Sequence, residues 1–507
     1  MHADDGDLRK PSLNTWPSLT LFVAERDSED DKRYRRTVLF ITCIGALMGP
    51  LDSTIVSVSL PQISSSLGMD YASIIWIPTA YLVTLAVLIL SVGRLSDMRG
   101  RKPIFISGFA IFVVGSFLCS IAQNGSELIA FRIVQGVGAA FFGATSTAIV
   151  TDVFPRNERG KALGINAMSV YFGLTIGPPL GGFLTQAFGW PSIFYINIPI
   201  GAIVIVLAIT KLRESVSMPK KERFDLAGLF TFSSALVLLL VGLTLGDFVG
   251  WTSASILLMF ASALVLFASF LIVEKRRGCQ AMLDVGLILK NRLFAAANIS
   301  ALLNYTAFFG ISFMISFYLQ IVLSFSAFQV GLVLLVMPIT MALLSPISGW
   351  LSDRIGSRAL SSGGMVIIGL GLLLMSALTT TSDTVHVEIG LFVMGVGMGV
   401  FASPNTSAVM GSVQKSQLGV ASGTLATMRV VGQASSLALM GAIVATVAGT
   451  SVLGALFSGG PPPPVADIAF VRGMSYAFVV SAIIAFIGAG TSLARGPMAK
   501  DECARVD

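Results

Sequence analysis

Apolar blocks of about 18 to 25 residues recur along the whole chain, and each is long enough to cross a hydrocarbon core of about 30 Å as a helix. A bilayer offers no water to an exposed backbone, so such blocks fold as helices that pair their own N–H and C=O groups. The expected fold class is all-α, a polytopic membrane protein. Of the 507 residues, 54% are apolar and only 12% charged, whereas soluble domains carry about 25% charged residues. The 51 glycines suit close helix packing and kinks in lipid.

The net charge of +6 is not a nucleic-acid signal, because its placement explains it. All but three of the 33 Lys and Arg fall in the two tails and in alternate loops; the exceptions are Arg132, Arg429 and Arg472. Basic loops stay in the cytoplasm. Both termini are therefore expected there, in a multi-pass protein of the cell (plasma) membrane. The first thirty residues show no signal-peptide pattern, so the first span is expected to act as the insertion signal. Of the four cysteines, Cys43 and Cys119 lie in apolar segments and Cys279 and Cys503 in basic ones; no disulfide is expected.

The hydropathy pattern predicts spans at 37–60, 73–93, 103–122, 127–150, 160–184, 192–212, 224–245, 253–273, 293–319, 328–351, 359–378, 385–410, 417–447 and 473–494. The turn Gly93-Arg94-Leu95-Ser96-Asp97-Met98-Arg99-Gly100-Arg101-Lys102 after span two returns, weaker, as Gly349-Trp350-Leu351-Ser352-Asp353-Arg354-Ile355-Gly356-Ser357-Arg358 after span ten. Two copies imply two related halves, the layout of a transporter that rocks around a shared site. Two plain sets of six would put the second copy after span eight, so two spans read as inserted. The resulting division is a tail (1–36), a six-helix bundle (37–212), two inserted helices with linkers (213–292), a second six-helix bundle (293–495) and a tail (496–507). The segment from Gly449 to Arg472, with four prolines at 461–464, is expected to be a stiff extended connector. Spans three, six, eight and eleven are nearly featureless and read as scaffold.

Asp52 is the first candidate for chemistry, because an ionisable group inside a span is costly and marks function by default. Pro50 cannot donate to the carbonyl of Ala46, which predicts a loosened turn just before the carboxylate. Asp52 lies about 22 Å from the inner end of span one, and Arg132 about 7–8 Å from the outer end of span four, at 1.5 Å per residue. Both belong to the outer half at similar depth. A proton-coupling role and a purely structural pairing both fit, and contact between them depends on an arrangement of spans that spacing leaves open. Gly173, Gly177 and Gly181 share one helix face suited to near backbone contact; with Pro178, Pro179 and Gly182 they suggest a packed bend that seals the outer side. Asp97 among Arg94, Arg99, Arg101 and Lys102 reads either as a solvated loop or as a charge latch on the inner gate. Arg429, near mid-span, faces a cavity or binds a carbonyl. Candidate cavity residues are Trp76, Tyr81, Asn166, Tyr171, Asn304 and Tyr305, then Phe309, Phe313, Gln320, Asn405 and Gln433. Only two histidines are present, His2 and His386, and no Gly-x-x-x-x-Gly-Lys-Ser/Thr loop, so metal, triad and ATP chemistry are not expected.

These motifs resemble those of the major facilitator superfamily. Gly93 to Lys102 is similar to its loop motif, Arg132-Ile133-Val134-Gln135-Gly136-Val137-Gly138 to its span-four motif, and Gly173 to Gly182 to its antiporter motif. Leu51-Asp52-Ser53-Thr54-Ile55-Val56 with Leu60-Pro61 resembles the span-one motif of the fourteen-helix drug:proton antiporters. Ser57 and Ser59 replace the usual Asn and Ala, Ser357 stands where the first turn has Arg101, and span twelve has no counterpart of Arg132. The resemblance implies two six-helix bundles plus two inserted helices, working as a monomer without cofactor. It also implies export of lipophilic compounds in exchange for protons. The lack of further deep carboxylates in spans nine to thirteen points to neutral or monovalent cationic cargo. Import of a small metabolite, and a non-transporting receptor or scaffold, are the rival functions.

Overall fold

A computed structural model describes residues 29–214, 225–277, 289–413, 418–449 and 464–495. Among them are 14 helices long and apolar enough to span a membrane, and no strand. In chain order they are α1 (Glu29–Leu67), α2 (Tyr71–Arg99), α3 (Arg101–Ser120), α4 (Gly125–Val153), α5 (Arg156–Phe188), α6 (Ser192–Lys211) and α7 (Leu226–Val249). There follow α8 (Ala254–Arg277), α9 (Arg292–Val322), α10 (Ala327–Leu334 with Val336–Ile355), α11 (Ser357–Ser376), α12 (Thr384–Gly411), α13 (Leu418–Ala448) and α14 (Pro464–Leu493).

The helices start where capping chemistry allows. Asp70 accepts from the Ser73 amide, Asn124 from that of Glu127, and Ser326 with Gln329 forms a reciprocal capping box. Each arrangement satisfies amides that the first turn leaves without intrahelical partners. The repeated turn has the same backbone in both copies. Gly100 and Gly356 sit at φ +97° and +88°, a region closed to most side chains, and their amides bond to Ser96 and Ser352 carbonyls.

Helix α14 corrects one expectation. It begins at Pro464, nine residues before the hydropathy boundary at 473, and carries Arg472 inside it. Proline at the first helical position lacks an N–H that would go unpaired there anyway, so the fourth proline starts the helix instead of extending the connector. The rest of the expected connector, 450–463, lies outside the described residues.

Helices α1 to α6 pack together, as do α9 to α14, while α7 pairs with α8 and lies against both α2 and α13. The two groups meet at α5 with α10, α2 with α13, and α1 with α9. These contacts lie at the end away from the chain termini, here called the far end. A Cβ on Gly182 would come within 2.7 Å of Phe328 Cα, and one on Gly331 within 2.8 Å of Pro179 Cα. Gly441 meets Ile75 in the same way. In α9 a π-helical turn, Tyr318–Val322, brings round Gln320, which donates to the Val58 carbonyl of α1 at 2.8 Å. Toward the terminal end, Gly143 of α4, Gly164 of α5 and Gly423 of α13 have no heavy atom near their Cβ positions. The halves are closed at the far end and part toward the termini.

Candidate functional site

Asp52 and Arg132 meet inside the first half. Arg132 Nη1 donates to Asp52 Oδ2 at 2.6 Å, and both side chains are 0% exposed. Helix α1 runs unbroken through Pro50. Ser53 and Thr54 donate to the carbonyls of Gly49 and Pro50, bonding to the backbone just where proline disturbs it.

Three further helices, α2, α3 and α6, close around the pair. From α4, Gln135 Nε2 donates to Asp52 Oδ1 at 2.9 Å and to Ser116 Oγ of α3 at 2.8 Å. From α6, Asn197 Nδ2 donates to Asp52 Oδ1 at 3.0 Å. From α2, the Ile77 carbonyl accepts from Arg132 Nε at 3.2 Å, and the Tyr81 ring lies 4.3 Å beneath the guanidinium. Asp52 thus receives three N–H donors, the arrangement of an acceptor-only, ionised carboxylate. A proton on Oδ1, which already accepts from two amides, would displace a donor. Arg132 Nη2, Tyr81 Oη and Asn197 Oδ1 are buried without partners, polar capacity that another arrangement of the same groups could use.

Asn197, Ser116 and Gln135 were not marked as candidates by the sequence. Spans three and six are corrected from plain scaffold to contributors of polar groups. The available signal was Asn197 itself, an amide where α6 resumes after the break at Ile196, in an otherwise apolar span.

The glycine face of α5 packs on α1. A Cβ on Gly173 would stand 2.6 Å from the Leu47 carbonyl oxygen, and one on Gly181 2.7 Å from that of Ile55. Gly177 faces Thr54. Gly136 is pressed against the Tyr81 carbonyl oxygen of α2, 2.8 Å from its Cβ position. Pro178, Pro179 and Gly182 turn the opposite way, toward α10, so α5 joins the site helix to the far-end contact. Near the terminal end, Arg101 pairs with Asp152 and donates to the Ala148 carbonyl, both within the first half. The side chains of Asp97 and Asp353 lie outside the described residues. Gly93 has open space at its Cβ position, and Gly349 meets Ser403.

Six of the cavity candidates are taken up by packing or bonding in this conformation. Tyr81 lies under Arg132, and Phe313 is buried against Phe317. Asn166 donates to the Thr42 carbonyl, and Asn405 accepts from Arg495. Asn304 is fully buried, and Gln320 is taken up by Val58. Trp76, Tyr171, Tyr305, Phe309, Arg429 and Gln433 remain half-buried. Arg429 binds a hydroxyl, not a carbonyl: its Nη2 donates to Thr406 Oγ1 at 2.7 Å, with the Tyr305 ring 5.9 Å from the guanidinium.

The sequence matches the family model of the Major Facilitator Superfamily over residues 42–227 and 226–437. It is similar to the riboflavin transporter RibZ of Clostridioides difficile, 36% identical over 77% of this chain and 84% of that one. It is also similar to the multidrug resistance protein Stp of Mycobacterium tuberculosis, at 33% over 82% and 76%. The multidrug transporter protein MdtP of Bacillus subtilis is 32% identical over 82% and 77%. Among solved structures, a bacterial homolog of the human lysosomal transporter Spinster superposes with a TM-score of 0.64 at 16% identity, covering 91% of this chain and 97% of that one. The fold, the repeated turn and these matches agree: the chain belongs to the Major Facilitator Superfamily, with the fourteen-helix transporters of drug:proton antiporter type.

Proposed function

We propose that this transporter exports lipophilic compounds across the plasma membrane in exchange for protons, by alternating access. The observation that carries the reading is the Asp52–Arg132 pair, an ion pair held without any exposed atom inside a membrane bundle. Burying two charges costs several kcal/mol per ion before their attraction offsets it, and apolar packing would hold the helices as well. The two-bundle division, with α7 and α8 as an insertion, and the cytoplasmic placement of the basic terminal end belong to the same proposal.

In this conformation the far end is closed and Asp52 is arranged as an anion. That corresponds to the stage after proton release, with the cleft facing the cytoplasm. Asp52 does not line the open cleft, since its side chain is fully buried. Protonation is therefore assigned to the opposite conformation: opening the far end admits water to α1, a proton neutralises Asp52, and Arg132 is freed to find its unused partners. A cationic cargo has no free carboxylate to meet, since Asp52, the mid-depth carboxylate among the described residues, is already neutralised by Arg132. Cargo without a positive charge fits this better.

The test is flux in proteoliposomes under an imposed pH gradient. Wild-type protein should move a lipophilic dye against its gradient, and Asp52→Asn should insert normally but lose the pH-driven component. Unchanged pH-driven flux in that variant would leave the pair a structural lock. The similarity to a riboflavin transporter supports a second reading, uptake of a small metabolite. Accumulation inside cells, rather than exclusion, would favour it. Absence of flux for every ligand would leave a receptor or scaffold.

A further inference from the structure

The second half holds two guanidinium groups on consecutive residues of α12. Arg429, from α13, donates to Thr406 and keeps a buried Nε without a partner. Arg495, just beyond α14, donates to Asn405 and keeps Nε and Nη1 without partners, while being 2% exposed. No carboxylate pairs with either among the described residues. The first half solves the same problem differently: Arg132 has Asp52, so that pair is electrically neutral. Among the described residues, the buried positive charge without a paired carboxylate lies on the second half, at Arg429 and Arg495.

A buried guanidinium without a counter-charge is costly, and a bound anion lowers that cost. Arg429 is the member a ligand can reach. It is half-buried, on the side of α13 that packs toward α9, with the half-buried Tyr305 ring beside it. Tyr171 of α5, in the other half, is near enough to Tyr305 to act on it electrostatically, and both rings are half-buried. A guanidinium with an unpartnered Nε–H beside an aromatic face matches a carboxylate attached to an apolar or aromatic body. Arg495, through Asn405 on the same stretch of α12, adds positive potential.

We propose that Arg429 is the cargo-recognition residue for a carboxylate-bearing amphiphile, with Tyr305 and Tyr171 holding the apolar body, and that the transporter discriminates against lipophilic cations. This names the cargo class of the export reading above and rests on it for direction, not for binding.

The experiment compares three fluorescent probes with one aromatic body: a carboxylic acid, its methyl ester and a trimethylammonium analogue. Binding is measured on the full-length protein in detergent by thermal shift and fluorescence anisotropy. The acid should bind at least tenfold more tightly than the ester, and the cation more weakly than both. Arg429→Gln should remove the acid's advantage without changing ester affinity, and Arg429→Lys should restore part of it. Equal binding of acid and ester to wild-type protein overturns the proposal, as does an Arg429→Gln variant that still prefers the acid or loses both ligands alike. Proteoliposome flux of the ester under a pH gradient separates the two readings. Ester flux with no acid preference sinks this inference alone, whereas acid binding without pH-driven flux of any probe sinks the export reading alone.

Discussion

Gln320 of α9 donates its amide to the backbone carbonyl of Val58 in α1, joining the two halves across the closed end of the cleft. The carbonyl of Val58 lies four residues after that of Thr54, whose side chain faces Gly177 of α5. The contact thus ties the second half to the helix that carries Asp52. A transporter that alternates must break this bond when the far end opens.

Gln320→Leu should therefore favour the far-open state. A hydrogen bond of this kind contributes about 1 kcal/mol net, so the open population should rise roughly fivefold. Hydrogen exchange of the amides of 318–334 reports it: exchange there should quicken while α11 and α12 are unchanged. Equal quickening everywhere would mean general loss of stability.

Asp52→Asn has a structural consequence apart from any loss of coupling. It leaves Arg132 buried without its counter-charge, a change that costs about 3–5 kcal/mol. The single variant should melt markedly lower than wild type in detergent. Adding Arg132→Gln should recover most of the stability by removing the orphan charge, yet should not restore pH-driven flux. Recovery of both would mean that the pair serves packing alone.

The glycines of α5 and α10 should separate stability from conformation. Gly173→Ala pushes a methyl toward the Leu47 carbonyl inside one half and should destabilise every conformation, by roughly 1–3 kcal/mol. Gly331→Ala pushes one toward Pro178 and Pro179 across the halves, so it should favour far-end opening. Gly143→Ala, with open space around it, serves as the control and should be neutral or slightly stabilising. Melting temperature and hydrogen exchange together distinguish the three outcomes.

Burial pushes the Arg495 guanidinium well below its ordinary value, to about 10. Its folded value lies below its unfolded one, so the penalty on the charged form is fully present at neutral pH. It is relieved only as pH rises past about 10. Arg495→Gln, which keeps an amide for Asn405, should raise thermal stability by about 1–3 kcal/mol, with no pH dependence between pH 6 and 9. A lower melting temperature in the variant would mean that the unpartnered N–H groups are compensated by a bound anion.

The span count and the repeated turn were legible in the sequence, because each depends on local chemistry. Hydropathy over some twenty residues decides insertion, and a positive-φ glycine decides a turn. The depths of Asp52 and Arg132 were legible too, since helical rise converts residue number into distance. The sequence could not supply what surrounds the pair. Ser116, Gln135 and Asn197 come from three different helices, and only lateral packing brings them together. The same limit explains why Tyr81 and Asn405 read as cavity residues although they lie sealed within their bundles: periodicity tells which residues share a face, not what that face meets. Which end of the cleft is closed, and that Arg429 and Arg495 meet no carboxylate among the described residues, followed from the arrangement of helices alone. In a membrane the apolar exterior sorts helices only weakly, and their neighbours are chosen by close steric fit between small residues far apart in the chain.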